Sequence, residues 1–114
     1  MSHPIHHAQS SVKKWGGKIE DYLPVHDFLD SSKTHFADFR HRAVYHHSAG
    51  IFECERTLGH SITNSDGKII PVRYIAERHI LEDCGGVIPT LADWFRNIKR
   101  EVWMSRGYTI PEGE

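Results

Sequence analysis

Lys33-Thr34-His35-Phe36-Ala37-Asp38-Phe39-Arg40-His41-Arg42-Ala43-Val44-Tyr45-His46-His47-Ser48-Ala49-Gly50-Ile51-Phe52-Glu53-Cys54-Glu55-Arg56-Thr57-Leu58 is the stretch whose reading decides how this chain folds. Asp30-Ser31-Ser32 precedes it with side-chain oxygens suited to capping first-turn amides, and Gly59 closes it. Those signals predict one main helix of about 25 residues, nearly 40 Å long at about 1.5 Å per residue, loosened or bent at Gly50. At about 100° per residue, Phe36, Phe39, Ala43, His47, Gly50, Ile51, Cys54 and Leu58 share one side, the expected buried face, with His47 at its middle. A neighbouring row carries His35, Arg42, His46 and Glu53, while His41 points to the opposite side, toward solvent.

The flanking segments read as shorter elements. Pro4 to Trp15 predicts a first helix, with proline in its first turn and Gly16-Gly17 ending it. Asp21 is placed to cap a second helix, Tyr22 to Leu29. After Gly59, His60-Ser61-Ile62-Thr63 and Lys68-Ile69-Ile70 flank Asn64-Ser65-Asp66-Gly67, a tetrad suited to a hairpin turn. Val72 to Cys84 predicts a further helix, closed by Gly85-Gly86. Thr90 with Asp93 marks a last helix start, whose Leu91, Trp94, Phe95, Ile98 and Val102 are spaced as a core-facing stripe. The fold class is therefore mainly α: four to five helices, one of them long and central, with one short β-hairpin. One domain is expected over residues 1–114, with 1–3 and 106–114 as irregular tails.

Composition bounds the function. With 39% hydrophobic and 25% charged residues over 114 positions, the chain is an ordinary globular one. A net charge of −1 gives no electrostatic case for nucleic-acid binding. No apolar run approaches the ~18 residues of a membrane span and the N-terminus has no apolar signal region, so a cytoplasmic protein is expected. Cys54 and Cys84 have no CxxC partner and read as reduced, partly buried thiols.

Ten histidines stand out, because imidazole is the commonest metal ligand and titrates near neutrality. His46 and Glu53, seven apart, would face the same way with Gly50 leaving a gap between them. On the later helix His79 lies three residues before Glu82 and four before Asp83, so all three share a face. If the two helices pack face to face, His46, Glu53, His79 and one of Glu82 or Asp83 converge, with the central His47 as a further candidate. That mixed nitrogen and oxygen set suits Zn, Mn or Fe. His7 could fold back as another ligand. His26-Asp27 repeats the dipeptide of HD-type phosphohydrolases, which by itself carries little. Lys13-Lys14-Trp15-Gly16-Gly17 could meet a phosphate, although lysines before a helix-ending glycine are expected on dipole grounds. No serine has the glycine-flanked context of a nucleophile elbow.

Several strings taken together, His7-Ala8-Gln9-Ser10-Ser11-Val12-Lys13-Lys14-Trp15-Gly16-Gly17, Glu20-Asp21-Tyr22-Leu23-Pro24-Val25-His26-Asp27, Arg40-His41-Arg42 with His46-His47-Ser48, Asn64-Ser65-Asp66-Gly67-Lys68, and Glu77-Arg78-His79 through Gly85, carry a resemblance over nearly the whole chain. It resembles a family of small histidine-rich proteins of bacteria and phages catalogued as a domain of unknown function. The resemblance implies a stand-alone domain in a phage or mobile-element context and transfers no activity.

Two functions are expected. The first is a divalent-metal-binding domain, in its finer form a hydrolase of a phosphoester or nucleotide. There His46, His47, Glu53, His79 and Asp83 hold the metal, Glu82 is general base, and Arg42 or Lys14 meets the phosphate. The second is a non-catalytic interaction or inhibitor protein, with structural histidines or a structural metal, whose exposed Trp15, Trp103 and Tyr108 meet a host protein. A small-molecule ligand or a homodimer is compatible with either.

Overall fold

The computed structural model describes residues 4–108; the expectations for 1–3 and 109–114 lie outside them. Helix α1 spans Pro4–Trp15 and ends on Gly16 and Gly17, both at positive φ (82° and 77°), a conformation that glycine adopts without strain. Helix α2 runs Ile19–Leu29 and starts three residues earlier than its sequence suggested. Asp21 is not the cap but the third helical residue: its Oδ2 accepts from the Lys18 amide at 2.8 Å and from the Ser65 amide at 2.8 Å. One carboxylate thus starts α2 and pins the hairpin turn to it.

Strands β1 (Ser61–Thr63) and β2 (Ile69–Pro71) pair antiparallel with Ile62 opposite Ile70, around the turn read from the sequence. The Asn64 amide closes that turn, accepting from the Asp66 and Lys68 amides and donating to the Trp15 carbonyl and the Tyr22 hydroxyl. Helix α5, Val72–Asp83, follows directly. Ala8, Tyr22, Val25, Leu29, Ile51, Cys54, Ile70, Val72, Ile75, Ala76 and Ile80 make the apolar core. The chain is mainly helical with one two-stranded hairpin, the fold class that its periodicity and caps indicate.

The single long helix is where the structure departs from the sequence pattern. Residues 31–34 and 39–41 form 3₁₀ turns, α3 covers only Arg42–Tyr45, and α4 runs Ser48–Leu58. His46 (φ −83°, ψ 62°) and His47 (φ −161°, ψ 172°) leave helical geometry, and His47 caps α4 by accepting from the Gly50 amide at 3.0 Å. A cap supplied from inside the pattern ends one helix and starts another. The break folds so tightly that a Cβ at Gly50 would lie 1.9 Å from the Tyr45 carbonyl oxygen. Phe36 and Phe39, expected in the buried face, are exposed, because no continuous helix carries them inward.

The last helix is also shorter than expected: α6 stops at Phe95. The three-and-four spacing is therefore not carried onward. Phe95, Ile98 and Val102 are exposed, and only Leu91 and Trp94 are half-buried. The Thr90–Asp93 capping box forms as the sequence indicated. Residues 102–105 make a 3₁₀ turn and 106–108 a turn and bend. No helix among the described residues is long and apolar enough to cross a membrane.

Candidate metal centre

Helices α2 and α5 pack against each other, and each brings a histidine four residues before an aspartate: His26 on α2 with Asp30 capping its C-terminal end, and His79 and Asp83 on α5. The i, i+4 spacing places each pair on one helix face. The break between α3 and α4 turns His46 into the same space, the 3₁₀ turn at 39–41 adds His41, and α1 adds His7. His26, His41, His46 and His79 are fully buried, and His7 and the carboxylates of Asp30 and Asp83 nearly so. So many titratable groups in a core this small require compensation, since an unpaired buried charge is costly.

Four of them converge on a point. One ligand atom each from Asp30, His46, His79 and Asp83 lies within 4.8 Å of every other. His46 Nε2 is 2.9 Å from Asp83 Oδ2, 3.2 Å from His79 Nε2 and 3.5 Å from Asp30 Oδ1. His79 Nε2 is 3.2 Å from Asp30 Oδ1 and 3.3 Å from Asp83 Oδ2. Ligands at about 2.0–2.1 Å from a tetrahedral ion stand about 3.3–3.4 Å apart, so these spacings fit a divalent metal. Two carboxylates and a divalent cation also cancel in charge, which suits a buried site.

Outer partners aim the rings. Ser11 donates its hydroxyl proton to the His7 carbonyl at 3.1 Å and so accepts from His26 Nε2 at 2.8 Å. Burial, with His79 and His7 nearby, pushes His26 down to about 2, so this ring stays neutral and its Nδ1 is an acceptor. The Nδ1–H of His79, 2.9 Å away, fills it and leaves Nε2 as the atom presented to the carboxylates. His7 Nδ1 pairs with Glu82 Oε1 at 2.8 Å, and its Nε2 lies 3.1 Å from Asp83 Oδ1. Burial alone would lower His7, but Asp83 and Glu82 outweigh it and raise its pKa. Trp94 donates to the His46 carbonyl at 2.9 Å and fixes the break.

Burial alone would also raise both carboxyls. Hydrogen bonding and proximity to His79, with Lys33 and His46, instead hold Asp30 at about 2, and the bond to His46 with the nearby His7 and His79 rings holds Asp83 well below the carboxylate range. Lys33 Nζ lies 3.3 Å from Asp30 Oδ2, and an Arg42 guanidinium nitrogen 3.8 Å from Asp83 Oδ1. Each carboxylate thus has a cation on its outer side.

Of the residues singled out from sequence, the structure brings His46, His79 and Asp83 together and keeps His47 and Glu53 apart. Both His47 nitrogens are committed, Nδ1 to the Gly50 amide and Nε2 to the Val44 carbonyl at 2.9 Å. Glu53 is exposed and paired with Arg56, because the broken helix no longer aligns it with His46. Glu82 faces outward, bonded to His7 and to the Ser10 hydroxyl, and does not reach the four-ligand cluster. His41, expected in solvent, is fully buried. His26 is buried while Asp27 is exposed, so that dipeptide does not act as a pair. Lys14 lies over the Trp15 ring, 5.7 Å from its centroid. Asp30, read only as a cap, is the candidate ligand that sequence reasoning missed; the repeated His-x-x-x-Asp spacing was its signal. Cys54 and Cys84 are free, and burial pushes the Cys54 thiol up to about 12, an inert state.

Together the helical fold and this polar centre describe a small domain organised around histidine and aspartate. A family described as a domain of unknown function (DUF6915) matches residues 2–104, and the chain belongs to it. No curated protein and no solved structure matches the chain.

Proposed function

We propose that this domain binds one divalent metal ion through Asp30, His46, His79 and Asp83. The convergence of four buried ligand atoms within 4.8 Å carries the reading. An ion there joins α2, the α3–α4 break and α5, so binding it contributes directly to folding. All four ligands are buried, which is the character of a closed, structural site more than of one exchanging substrate. The test is elemental analysis of untagged protein purified without chelator or nickel resin, followed by dialysis against Zn, Mn and Fe. About one equivalent, lost in Asp30→Asn and in His79→Ala, supports the assignment. Protein that neither carries nor takes up metal overturns it.

One observation favours a catalytic extension. Arg42 is partly exposed and reaches the edge of the centre at Asp83, where a phosphoester or nucleotide would meet a cation beside the metal. In that reading Asp30, His46, His79 and Asp83 would hold a metal whose Lewis acidity would activate water, and Glu82, bonded to His7, would act through that ring and not on the water directly. Retained metal with no turnover of phosphoester or nucleotide substrates leaves the domain a structural metal protein.

A different observation favours an interaction role. Ile98, Val102, Trp103 and Tyr108 are each exposed in the C-terminal stretch, whereas Trp15 packs on Tyr22 and is only half-exposed. A segment that leaves several large apolar side chains in solvent favours an association role. Light scattering on the full chain distinguishes a homodimer from a monomer that awaits a host protein.

A further inference from the structure

Helix α1 carries no carboxylate, and the helical repeat sorts its polar side chains. His6, Gln9, Ser10 and Lys13 recur at three- and four-residue intervals and so share one face. Together with Val12 and with Arg78 of α5 they line an open groove of about 630 Å³, within the ~300–1,000 Å³ of small-molecule sites. None of these lining residues is acidic.

Arg78 is held differently from its counterparts on the surface. Arg40, Arg56, Arg73 and Arg96 each place a terminal guanidinium nitrogen 2.6–3.2 Å from a carboxylate oxygen. Arg78 instead uses Nε, which donates to the Ser10 hydroxyl at 3.0 Å and stands 3.7 Å from Glu82 Oε2, beyond hydrogen-bond distance. The Ser10 hydroxyl donates onward to Glu82, so it is filled as donor and acceptor and anchors the base of the guanidinium. Among the described residues both terminal nitrogens of Arg78 lack a hydrogen bond or ion pair. Lys13 also has no carboxylate partner there, whereas its neighbour Lys14 lies over the Trp15 ring.

We propose that this groove binds a small phosphomonoester, with its phosphate between Arg78 and Lys13 and an apolar substituent on Val12. An unpaired guanidinium fork matches phosphate geometry, and two fixed positive charges balance a phosphate dianion, where a carboxylate would bring only one. Gln9 and His6 add side-chain N–H donors for the remaining oxygens. No groove residue is among the four candidate metal ligands, and the groove is distinct from the edge at Arg42, so the site stands independently of the metal reading.

NMR titration of the full-length chain with inorganic phosphate and with phenyl phosphate, at constant ionic strength, tests it. Saturable shifts are expected on α1 amides and at Arg78 Nε–H, with phenyl phosphate the tighter ligand and acetate failing to saturate. Lys13→Ala should weaken phenyl phosphate roughly tenfold, as loss of a charge-assisted contact does, and Arg78→Gln at least as much. Lys99→Ala removes the same charge from an exposed position outside the groove and should change the affinity by less than about twofold. Shifts that never saturate, or equal weakening by Lys99→Ala, reduce the groove to a diffuse cationic surface and overturn the site. Binding lost in Arg42→Gln but kept in Lys13→Ala moves the phosphate to the metal edge and overturns it too. Lys13 is exposed, so its variant decides even if Arg78→Gln does not fold.

Discussion

His26 Nδ1 lies 2.9 Å from His79 Nδ1, and this contact between two fully buried rings sets which nitrogen His79 offers to the centre. Outer partners of this kind typically contribute ~10–100-fold to metal affinity by fixing ring orientation and tautomer. His26→Ala is therefore expected to weaken metal binding by about that factor while every ligand atom remains. Ser11→Ala, one bond further out, should have a smaller effect. Competition against a chromophoric chelator measures both; affinities equal to the natural protein's would show that the contact is mere packing.

Metal should also stabilise the fold, because the unfolded chain cannot gather ligands from α2, α5 and the α3–α4 break. At a free metal concentration 100 times the Kd the gain is about 2.7 kcal/mol, or roughly 10 °C in Tm for a domain of this size. Thermal unfolding with and without chelator should show that difference, and Asp30→Asn should abolish it. Glu53→Gln, on the solvent side of α4, should leave the metal-dependent shift unchanged.

Much of the fold is legible in the sequence where signals are local. The ends of α1, the hairpin turn at Asn64–Gly67 and the Thr90 cap follow from residues that act within four positions of themselves. The break at His46–His47 is not legible that way. His47 sits mid-pattern and reads as another face residue, yet its side chain caps α4 from within. That error turned Glu53 into a candidate and hid His41 and Asp30. Asp30 was masked for a second reason: an aspartate ahead of Ser31-Ser32 is also what a helix cap looks like. Which role such a residue takes depends on the packing of α2 against α5, a tertiary fact that periodicity does not encode.

Gly50 tests the break directly. A methyl group there would meet the Tyr45 carbonyl oxygen at 1.9 Å, and the obstacle is backbone that no rotamer change can move. Gly50→Ala should destabilise by about 3 kcal/mol, at the upper end of overpacking costs, even though alanine is the better helix former. Denaturant unfolding of the metal-free chain reads the change. A stabilised variant would mean that α3 and α4 can run on as one helix.

The pH dependence of the metal-free protein follows from the same buried rings. His26 is held at about 2, and burial lowers His46 as well, so both bind protons more weakly folded than unfolded, where the pKa is about 6.5. Their contribution to stability is present above about pH 6.5 and is lost as pH falls. His7 acts in the opposite sense: its raised pKa contributes below about 6.5 and is lost as pH rises through the folded value. Between about pH 6.5 and 5 the unfolded chain therefore takes up one to two more protons from this group than the native state. Each proton corresponds to about 1.4 kcal/mol per pH unit. Asp30 and Asp83, depressed in the folded state, extend the loss below about pH 4. Urea unfolding at pH 7.5, 6.5 and 5.5 should show stability declining between the last two points, well above the carboxylate range. His26→Asn, which cannot titrate, should flatten that decline, and a natural protein equally stable at all three values would contradict a neutral, buried His26.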